Sequence, residues 1–186
     1  MKQIALVSID VQKGFDDPSW GTRNNSDAEQ NIALLISQWR KHDLPIIHIQ
    51  HCSDEKNSVL RTDHPGNAYK KEGMPITGEK EFKKSVNSAF IGTGLEQYLH
   101  DNNIHSLVIV GLTTDHCVST STRMAGNLGF DVTLASDATA TFNRIDQDGI
   151  EFSADEIHKI HLASLNGEFC IVKTSKAILA MIDNIS

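Results

Sequence analysis

Cys117 stands where a strand is predicted to give way to a helix, and a thiol at such a place can do chemistry. The apolar, β-branched run 107–110 predicts a strand buried on both faces, and Gly111 ends it. Residues 118–128 predict the following helix, which Gly129 closes. At a helix N-terminus a thiol can ionise well below its free pKa of about 8.5 and become a nucleophile. Without a base and a cationic partner, Cys117 is also consistent with a small buried hydrophobic residue.

Asp10 and Lys84 are the candidates for those two partners. Asp10 directly follows the apolar strand predicted for residues 4–9. Lys84 ends a short strand predicted for residues 81–84. Taken alone, Asp10 also fits a loop cap, and Lys84 fits a solvated surface lysine. Together with Cys117 they supply a nucleophile, a group that moves its proton and a cation that favours the thiolate, which covalent amide hydrolysis needs.

The elements that would position these side chains alternate between strands and helices. Strands are predicted at residues 4–9, 46–49, 81–84, 107–110, 132–135 and 168–173. Helices are predicted at 118–128 and 177–182 and, from capping-box residues three positions before a glutamate, after Ser26, Thr93 and Ser153. This alternation predicts an α/β fold with a parallel sheet covered on both faces. Because crossovers are right-handed, the carboxyl ends of the strands share one edge, where the three reactive side chains would converge.

Length and composition predict a single domain over residues 1–186, long enough to bury about 70% of the surface of the unfolded chain. The net charge of −7 argues against a nucleic-acid-binding protein. No apolar run approaches the roughly 18 residues of a membrane-spanning helix, and the N-terminus MKQIALVSID does not resemble a signal peptide. Three widely spaced cysteines do not make a disulfide framework. We therefore expect a reducing, cytoplasmic setting and no nucleic-acid or membrane partner.

Three segments resemble the signature blocks of the isochorismatase-like cysteine hydrolases, a family that includes nicotinamidases and related amidohydrolases. They are IDVQKGF, KSVNSAFIGTGLEQYL and GLTTDHCVSTSTRMAGNLGFDVTLASDA, in the order typical of the family. The cysteine block is the most specific of the three. The resemblance implies a three-layer α/β/α fold with a six-stranded parallel sheet and helices on both faces.

The same resemblance implies a role for each residue of the predicted site. Asp10 matches the aspartate that takes the thiol proton and returns it to the leaving amine, Lys84 the lysine that stabilises the thiolate, and Cys117 the nucleophile that forms a thioester. A cis peptide is implied between Leu112 and Thr113, which would aim the backbone N–H groups of Thr113 and Cys117 at the oxyanion. The substrate would be a small molecule, no cofactor is expected, and relatives are commonly homodimers or homotetramers.

Contacts with the substrate are predicted at five side chains and in one loop. The side chains are Gln12, Phe15, Trp20, Phe90 and His116. The glutamine resembles a pocket-facing family position, and the histidine stands beside the nucleophile. The three aromatic rings would line an apolar pocket, although core packing explains them as readily. The irregular stretch 51–78 has the length of a functional loop, and substrate specificity is expected there.

No metal site is predicted. Nicotinamidases hold a metal near the cysteine with an Asp-x-His pair and a further histidine, whereas this chain has IQHCSD at the corresponding place and lacks the aspartate of the pair. Residues of ligand type in this stretch are His51, Cys52, Asp54, Asp63 and His64. Their spacing matches no metal-binding pattern, so none of them is assigned as a ligand.

Three functions are compatible with these residues. The first is a cysteine hydrolase that cleaves the C–N bond of a small carboxamide through a thioester. The second is an isochorismatase-type vinyl-ether hydrolase, which needs no thiol nucleophile. The third is a non-catalytic binding or scaffold protein. The joint presence of Asp10, Lys84 and Cys117 favours the first.

Overall fold

The structure, a computed structural model, describes residues 3–183 and contains one parallel sheet and one small hairpin. The strands are β1 (Gln3–Ile9), β2 (Ile46–His51), β3 (Lys80–Lys84), β4 (Ile104–Leu112), β5 (Asp131–Ala140), β6 (Arg144–Ile145), β7 (Glu151–Phe152) and β8 (Ile171–Lys173). Six of them form the sheet in the order β3-β2-β1-β4-β5-β8, and every neighbouring pair is parallel. The predicted six-stranded parallel sheet is confirmed, while the antiparallel β6–β7 hairpin was not predicted.

Helices cover both faces of this sheet. They are α1 (Ala28–Lys41), α2 (Leu95–Asp101), α3 (Ser119–Asn127), α4 (Ala154–Leu165) and α5 (Ser175–Asp183), with short 3-10 turns at Lys13–Asp16, Pro18–Trp20, Pro65–Asn67 and Lys71–Gly73. Helices α1 and α5 share one apolar core with the sheet, and α2, α3 and α4 share the other. The predicted three-layer arrangement is therefore confirmed. None of the helices within residues 3–183 has the length and apolar character needed to cross a lipid bilayer.

Strand β1 lies in the middle of the sheet and contributes to both cores. Leu6 packs with the α1–α5 core, which includes Trp39, whereas Val7 and Ile9 face the core that includes Leu99. Each fully buried side chain of this kind contributes about 1.5–3 kcal/mol to stability. This burial on both faces explains why residues 4–9 are almost continuously apolar rather than alternating.

The strand order reverses direction between β1 and β4. From β1 the chain builds outward to β2 and β3 on one side, then crosses to β4, β5 and β8 on the other. Connections leave the two central strands in opposite directions at such a switch point, so their carboxyl ends flank a crevice. Ligands of open α/β sheets bind in that crevice, so the candidate functional site lies there.

Of the three predicted capping boxes, one forms. Ser153 makes the full reciprocal box at the start of α4, which confirms that prediction. At Ser26 the prediction is wrong, because the carboxylate of Glu29 is held by both terminal nitrogens of Arg23 and does not bond back to the helix start. At Thr93 it is also wrong, because the N-cap is Gly94 and the Thr93 hydroxyl accepts from the N–H of Leu95 at 3.3 Å instead of forming the reciprocal pair with Glu96.

Candidate active site

Asp10 follows β1 directly, at the switch point, and its side chain is fully buried. Its φ is +53°, a left-handed conformation that aspartate adopts more readily than most residues. One carboxylate oxygen, Oδ2, accepts a hydrogen bond from Nζ of Lys84 at 2.6 Å. Within residues 3–183 the other oxygen, Oδ1, has no hydrogen-bond partner although it is buried. That oxygen is therefore available to take a proton.

Gly111 lets the two central strands meet closely at this edge. It pairs with Ile9 of β1, and its φ is +127°, which side-chain-bearing residues rarely adopt. A Cβ atom placed there would lie 2.0 Å from the carbonyl oxygen of Ile9. Only glycine fits this position, so the turn that follows β4 can lie against the end of β1.

We expect Gly111→Ala to destabilise the protein by at least about 3 kcal/mol, because backbone strain and a clash with backbone add together. The matched control is Gly129→Ala, where φ is +86° but nothing lies within 4 Å of the added Cβ. Strain alone should cost about 1 kcal/mol there. Urea unfolding of both variants measures the difference, and equal destabilisation would contradict the close approach of β1 and β4.

Lys84, the last residue of β3, reaches across the strand ends to the same place. Its side chain is fully buried, and its Nζ lies 2.6 Å from Oδ2 of Asp10 and 3.3 Å from Sγ of Cys117. A third contact, at 2.9 Å, joins it to Nδ1 of His51. The structure thus brings together the three reactive residues that the sequence places far apart, and it adds a histidine.

Cys117 lies in a short π-helical turn, Thr114–Val118, that leads from β4 into α3. Its side chain is buried, and its Sγ also lies 3.7 Å from Oδ1 of Asn87. Burial raises the pKa of the Cys117 thiol, the carboxylate of Asp10 raises it further, and Lys84 acts in the opposite direction. The direction of this shift is opposite to the one that a helix N-terminus favours. Ionisation of this buried thiol therefore calls for a base beside it, and Asp10 is the carboxylate that lies there.

The turn before the cysteine contains a cis peptide bond between Leu112 and Thr113. The carbonyl oxygen of Thr113 accepts hydrogen bonds from the N–H groups of His116 and Val118, at 3.2 Å each. These bonds fix the backbone beside the thiol. An oxyanion hole made of the N–H groups of Thr113 and Cys117 stays a prediction.

Gln12 is fully buried, and its amide is bonded to the backbone of its neighbours. Its Nε2 donates to the carbonyl oxygens of His51 at 3.0 Å and of Asn67 at 2.7 Å, and its Oε1 accepts from the N–H of His51 at 2.8 Å. This geometry gives Gln12 a structural task, which is to hold His51. A contact between Gln12 and substrate stays a prediction.

The predicted aromatic residues separate into two groups. Phe15 and Trp20 pack against each other and against Phe142, with ring centroids 5.2–6.5 Å apart, in a cluster that includes Leu112 beside the cis peptide. A contact of Phe15 and Trp20 with substrate stays a prediction. Phe90 instead stacks on the core residue Phe130 at 6.1 Å. Its environment is therefore that of a packing residue.

The remaining predicted contact, His116, points partly to solvent. Its Nε2 lies 3.4 Å from Oδ2 of Asp115, and half of its side chain is exposed. The carboxylate of Asp115 is buried and also accepts from Nε of Arg144 at 2.7 Å and from the hydroxyl of Thr141 at 2.5 Å. These bonds tie the π-helical turn to the β6–β7 hairpin, so His116 lies on a surface next to the site.

The residues of the site do not fit a nicotinamidase-type metal. Asp10, His51 and Cys117 present three ligand-type atoms within 4.8 Å of one another. The ammonium group of Lys84 contacts all three of these atoms, so it fills the place that a cation would take. His64 uses its Nδ1 to accept from a backbone N–H two residues later. We therefore derive no catalytic step from a metal.

His51 and Asn87 are the site residues that sequence reasoning missed as neighbours of the thiol. By residue type His51 is a possible metal ligand, but its place at the end of β2 puts it at the same edge as Asp10. Asn87 follows Lys84 by three residues in the segment KSVNSAF. The signal for His51 was the topology, since β2 lies beside β1 and ends at the same edge of the sheet. Asn87 lies in the loop after the edge strand β3, and no residue pattern signals its contact with the thiol.

Fold and site together define the chain as a three-layer α/β protein with a buried cysteine, lysine and aspartate at the switch point of its sheet. The family model described as "Isochorismatase domain" matches residues 4–177. The chain belongs to the isochorismatase family, and it is a hydrolase of that family.

Relatives of this chain include proteins with and without an assigned activity. An uncharacterized isochorismatase family protein of Bacillus subtilis, YrdC, is 48% identical over 94% of each chain. Nicotinamidase 3 of Arabidopsis thaliana is 33% identical over 88% of this chain and 81% of its own length. An isochorismatase-family protein of Chromobacterium violaceum has a crystal structure that matches with a TM-score of 0.94 and 49% identity, over 98% of this chain and 94% of that one.

Proposed function

We propose that this protein cleaves the C–N bond of a small carboxamide through a thioester on Cys117. The observation that carries the proposal is the position of the Lys84 ammonium, which contacts both the Asp10 carboxylate and the Cys117 sulfur inside a buried site. A relative that is 33% identical bears the name of an amide hydrolase, Nicotinamidase 3, which supports the same chemistry.

Charge balance explains how the thiol can be activated in a buried site. Asp10 and Lys84 together are electrically neutral, and the Cys117 thiol is neutral as well. Moving the proton from sulfur to the free Oδ1 of Asp10 gives a neutral acid, a thiolate and an ammonium, so the net charge of the site does not change. The ammonium, already 3.3 Å from the sulfur, then stabilises the thiolate. The buried site therefore gains no net charge when the thiolate forms.

The reaction follows from that proton transfer. The Cys117 sulfur attacks the amide carbon, and the oxygen becomes an oxyanion held by the N–H groups of Thr113 and Cys117. When the C–N bond breaks, the nitrogen takes the proton from Asp10 and leaves as ammonia or an amine. Water then attacks the thioester while Asp10 accepts its proton, and this proton returns to sulfur as the carboxylic acid is released.

A panel of small carboxamides tests the proposal. Ammonia release and formation of the matching carboxylic acid should be equal, and at least one amide should reach a kcat/KM of about 10⁴ M⁻¹s⁻¹ or more. Isochorismate serves as the comparison substrate for vinyl-ether cleavage. Cleavage of isochorismate without ammonia release from any amide would overturn the proposal. Assembly as a homodimer or homotetramer and a cytoplasmic setting stay predictions.

A further inference from the structure

We infer that His51 is a positioning residue of this site, which holds the ammonium of Lys84 in place between Asp10 and Cys117. This inference rests on the proposed function, because it concerns the group that would stabilise the thiolate. It assigns to His51 a task other than metal binding or substrate contact.

The ammonium of Lys84 has an acceptor for each of its protons. A lysine ammonium has three protons and no acceptor. The three atoms that face it are Oδ2 of Asp10 at 2.6 Å, Nδ1 of His51 at 2.9 Å and Sγ of Cys117 at 3.3 Å. Each proton therefore has one acceptor. Without His51, one N–H of a fully buried ammonium would lose its partner, which such a group tolerates poorly.

The geometry also determines the tautomer of the imidazole. Nδ1 of His51 accepts a hydrogen bond from the ammonium of Lys84, which can only donate. Nδ1 therefore carries no proton, and the ring proton lies on Nε2. The ring is neutral in this state. Burial lowers the pKa of His51, and the positive charge of Lys84 lowers it further, while the carboxylates of Asp10, Glu55 and Asp54 act in the opposite direction.

The chain holds His51 from two sides. It pairs with Lys84 in the register of β2 and β3, so the two side chains leave the sheet next to each other. Its backbone N–H and carbonyl are both bonded to the amide of Gln12, and its carbonyl also accepts from Nδ2 of Asn67 at 2.8 Å. The buried polar side chains of this region thus serve to fix His51 in position.

Acid should disable this arrangement through His51. A protonated imidazole has no lone pair for the ammonium and adds a second positive charge beside it. Since the pKa of His51 is lowered, the ring stays neutral near pH 7 and gains its proton only at a pH below its usual range. We expect the activity to fall with decreasing pH as this proton is gained.

Two substitutions test whether His51 acts through its hydrogen-bond acceptor or through the volume of its ring. In His51→Asn the amide oxygen lies near the position of Nδ1 and can accept from Lys84, whereas His51→Leu fills similar space without an acceptor. His105→Leu, an exposed histidine of β4 near the opposite edge of the sheet, is the matched control. Thermal unfolding checks that each variant folds.

The first measurement is the rate of iodoacetamide labelling at Cys117 at pH 8, read by peptide mass spectrometry. It needs no substrate, so its result is independent of the carboxamide panel. We expect labelling about tenfold slower in His51→Leu, which corresponds to a thiol pKa about one unit higher. In His51→Asn most of the lost rate should return, and His105→Leu should match the wild type.

The second measurement is the pH profile of kcat on an amide found by the panel. We expect kcat to fall 10- to 100-fold in His51→Leu with KM changed less than threefold, and the acid limb to move to lower pH in His51→Asn. Equal labelling rates in wild type and His51→Leu, or an acid limb unmoved in His51→Asn, would overturn the inference. If no amide of the panel released ammonia while the labelling rates were as expected, the proposed function would be overturned and the inference about His51 would stand.

Discussion

Cys117→Ala is expected to lower kcat on the carboxamide by at least about 10⁴-fold, because no other atom at the site can form the thioester. The protein should still fold, with a loss of stability of about 1–3 kcal/mol for the N–H of Lys84 that loses the sulfur, because the ammonium keeps its counter-ion Asp10 and the acceptor of His51. Ammonia release measures the first effect and thermal unfolding the second. In the wild type, rapid quenching should trap an acyl group on the Cys117 peptide, and the variant should show none.

Cys170→Ala is the matched control, because Cys170 is also a buried thiol but lies beside the carbonyl oxygen of Leu165, in the core under α4. Its removal should lower stability by about 1 kcal/mol and leave kcat within about twofold. If Cys117→Ala retained the activity, the thioester mechanism would be wrong. Vinyl-ether hydrolysis, which depends on Asp10 and needs no thiol, would then be the better explanation.

The convergence of Asp10, Lys84 and Cys117 could be predicted because it follows from topology. Apolar runs identified the strands, alternation with helices indicated a parallel sheet, and parallel strands end at one edge. Each of the three residues stands just at or after such a strand end. The side chains therefore had to share one region, whatever the details of packing.

The contacts of His51 and the direction in which the pKa of Cys117 shifts could not be predicted in the same way. Both depend on distances of 2.9–3.3 Å between side chains that lie far apart in the sequence, and on how much water reaches them. A pattern of residue types contains neither quantity. The field of a helix N-terminus favours the thiolate of Cys117, whereas desolvation of a buried sulfur beside a carboxylate acts in the opposite direction.

The failed capping box at Ser26 has a related cause. The sequence shows a serine three positions before Glu29, and this spacing is correct for a reciprocal cap. The structure places Arg23 and the buried Lys70 beside that glutamate, and together they lower its pKa to about 2. Charged partners from outside the helix bind Glu29 more strongly than the helix start does. Local spacing cannot reveal such competitors, since Lys70 comes from a distant loop.

Asp10→Asn is expected to lower both stability and activity strongly. The amide has the shape of the carboxylate but no charge, so the buried ammonium of Lys84 loses its counter-ion. Removal of one partner of a buried ion pair costs about 3–5 kcal/mol. The variant also lacks the base for the thiol, so kcat should fall at least about 10³-fold. Urea unfolding and ammonia release measure the two effects.

The control is Asp63→Asn, which breaks a largely exposed pair with Arg61 and should cost less than about 1 kcal/mol.

The double variant Asp10→Asn/Lys84→Met separates the structural from the chemical part of that loss. Methionine replaces the buried ammonium with a neutral chain of similar length, so no unpaired charge remains and stability should recover by about 2–3 kcal/mol relative to Asp10→Asn. Activity should not recover, because the base and the cation are both absent. If the two substitutions were simply additive in free energy of unfolding, Asp10 and Lys84 would not be a coupled ion pair. The neutral proton transfer proposed for the thiol would then lack its basis, since it requires that the charges of this pair balance within the buried site.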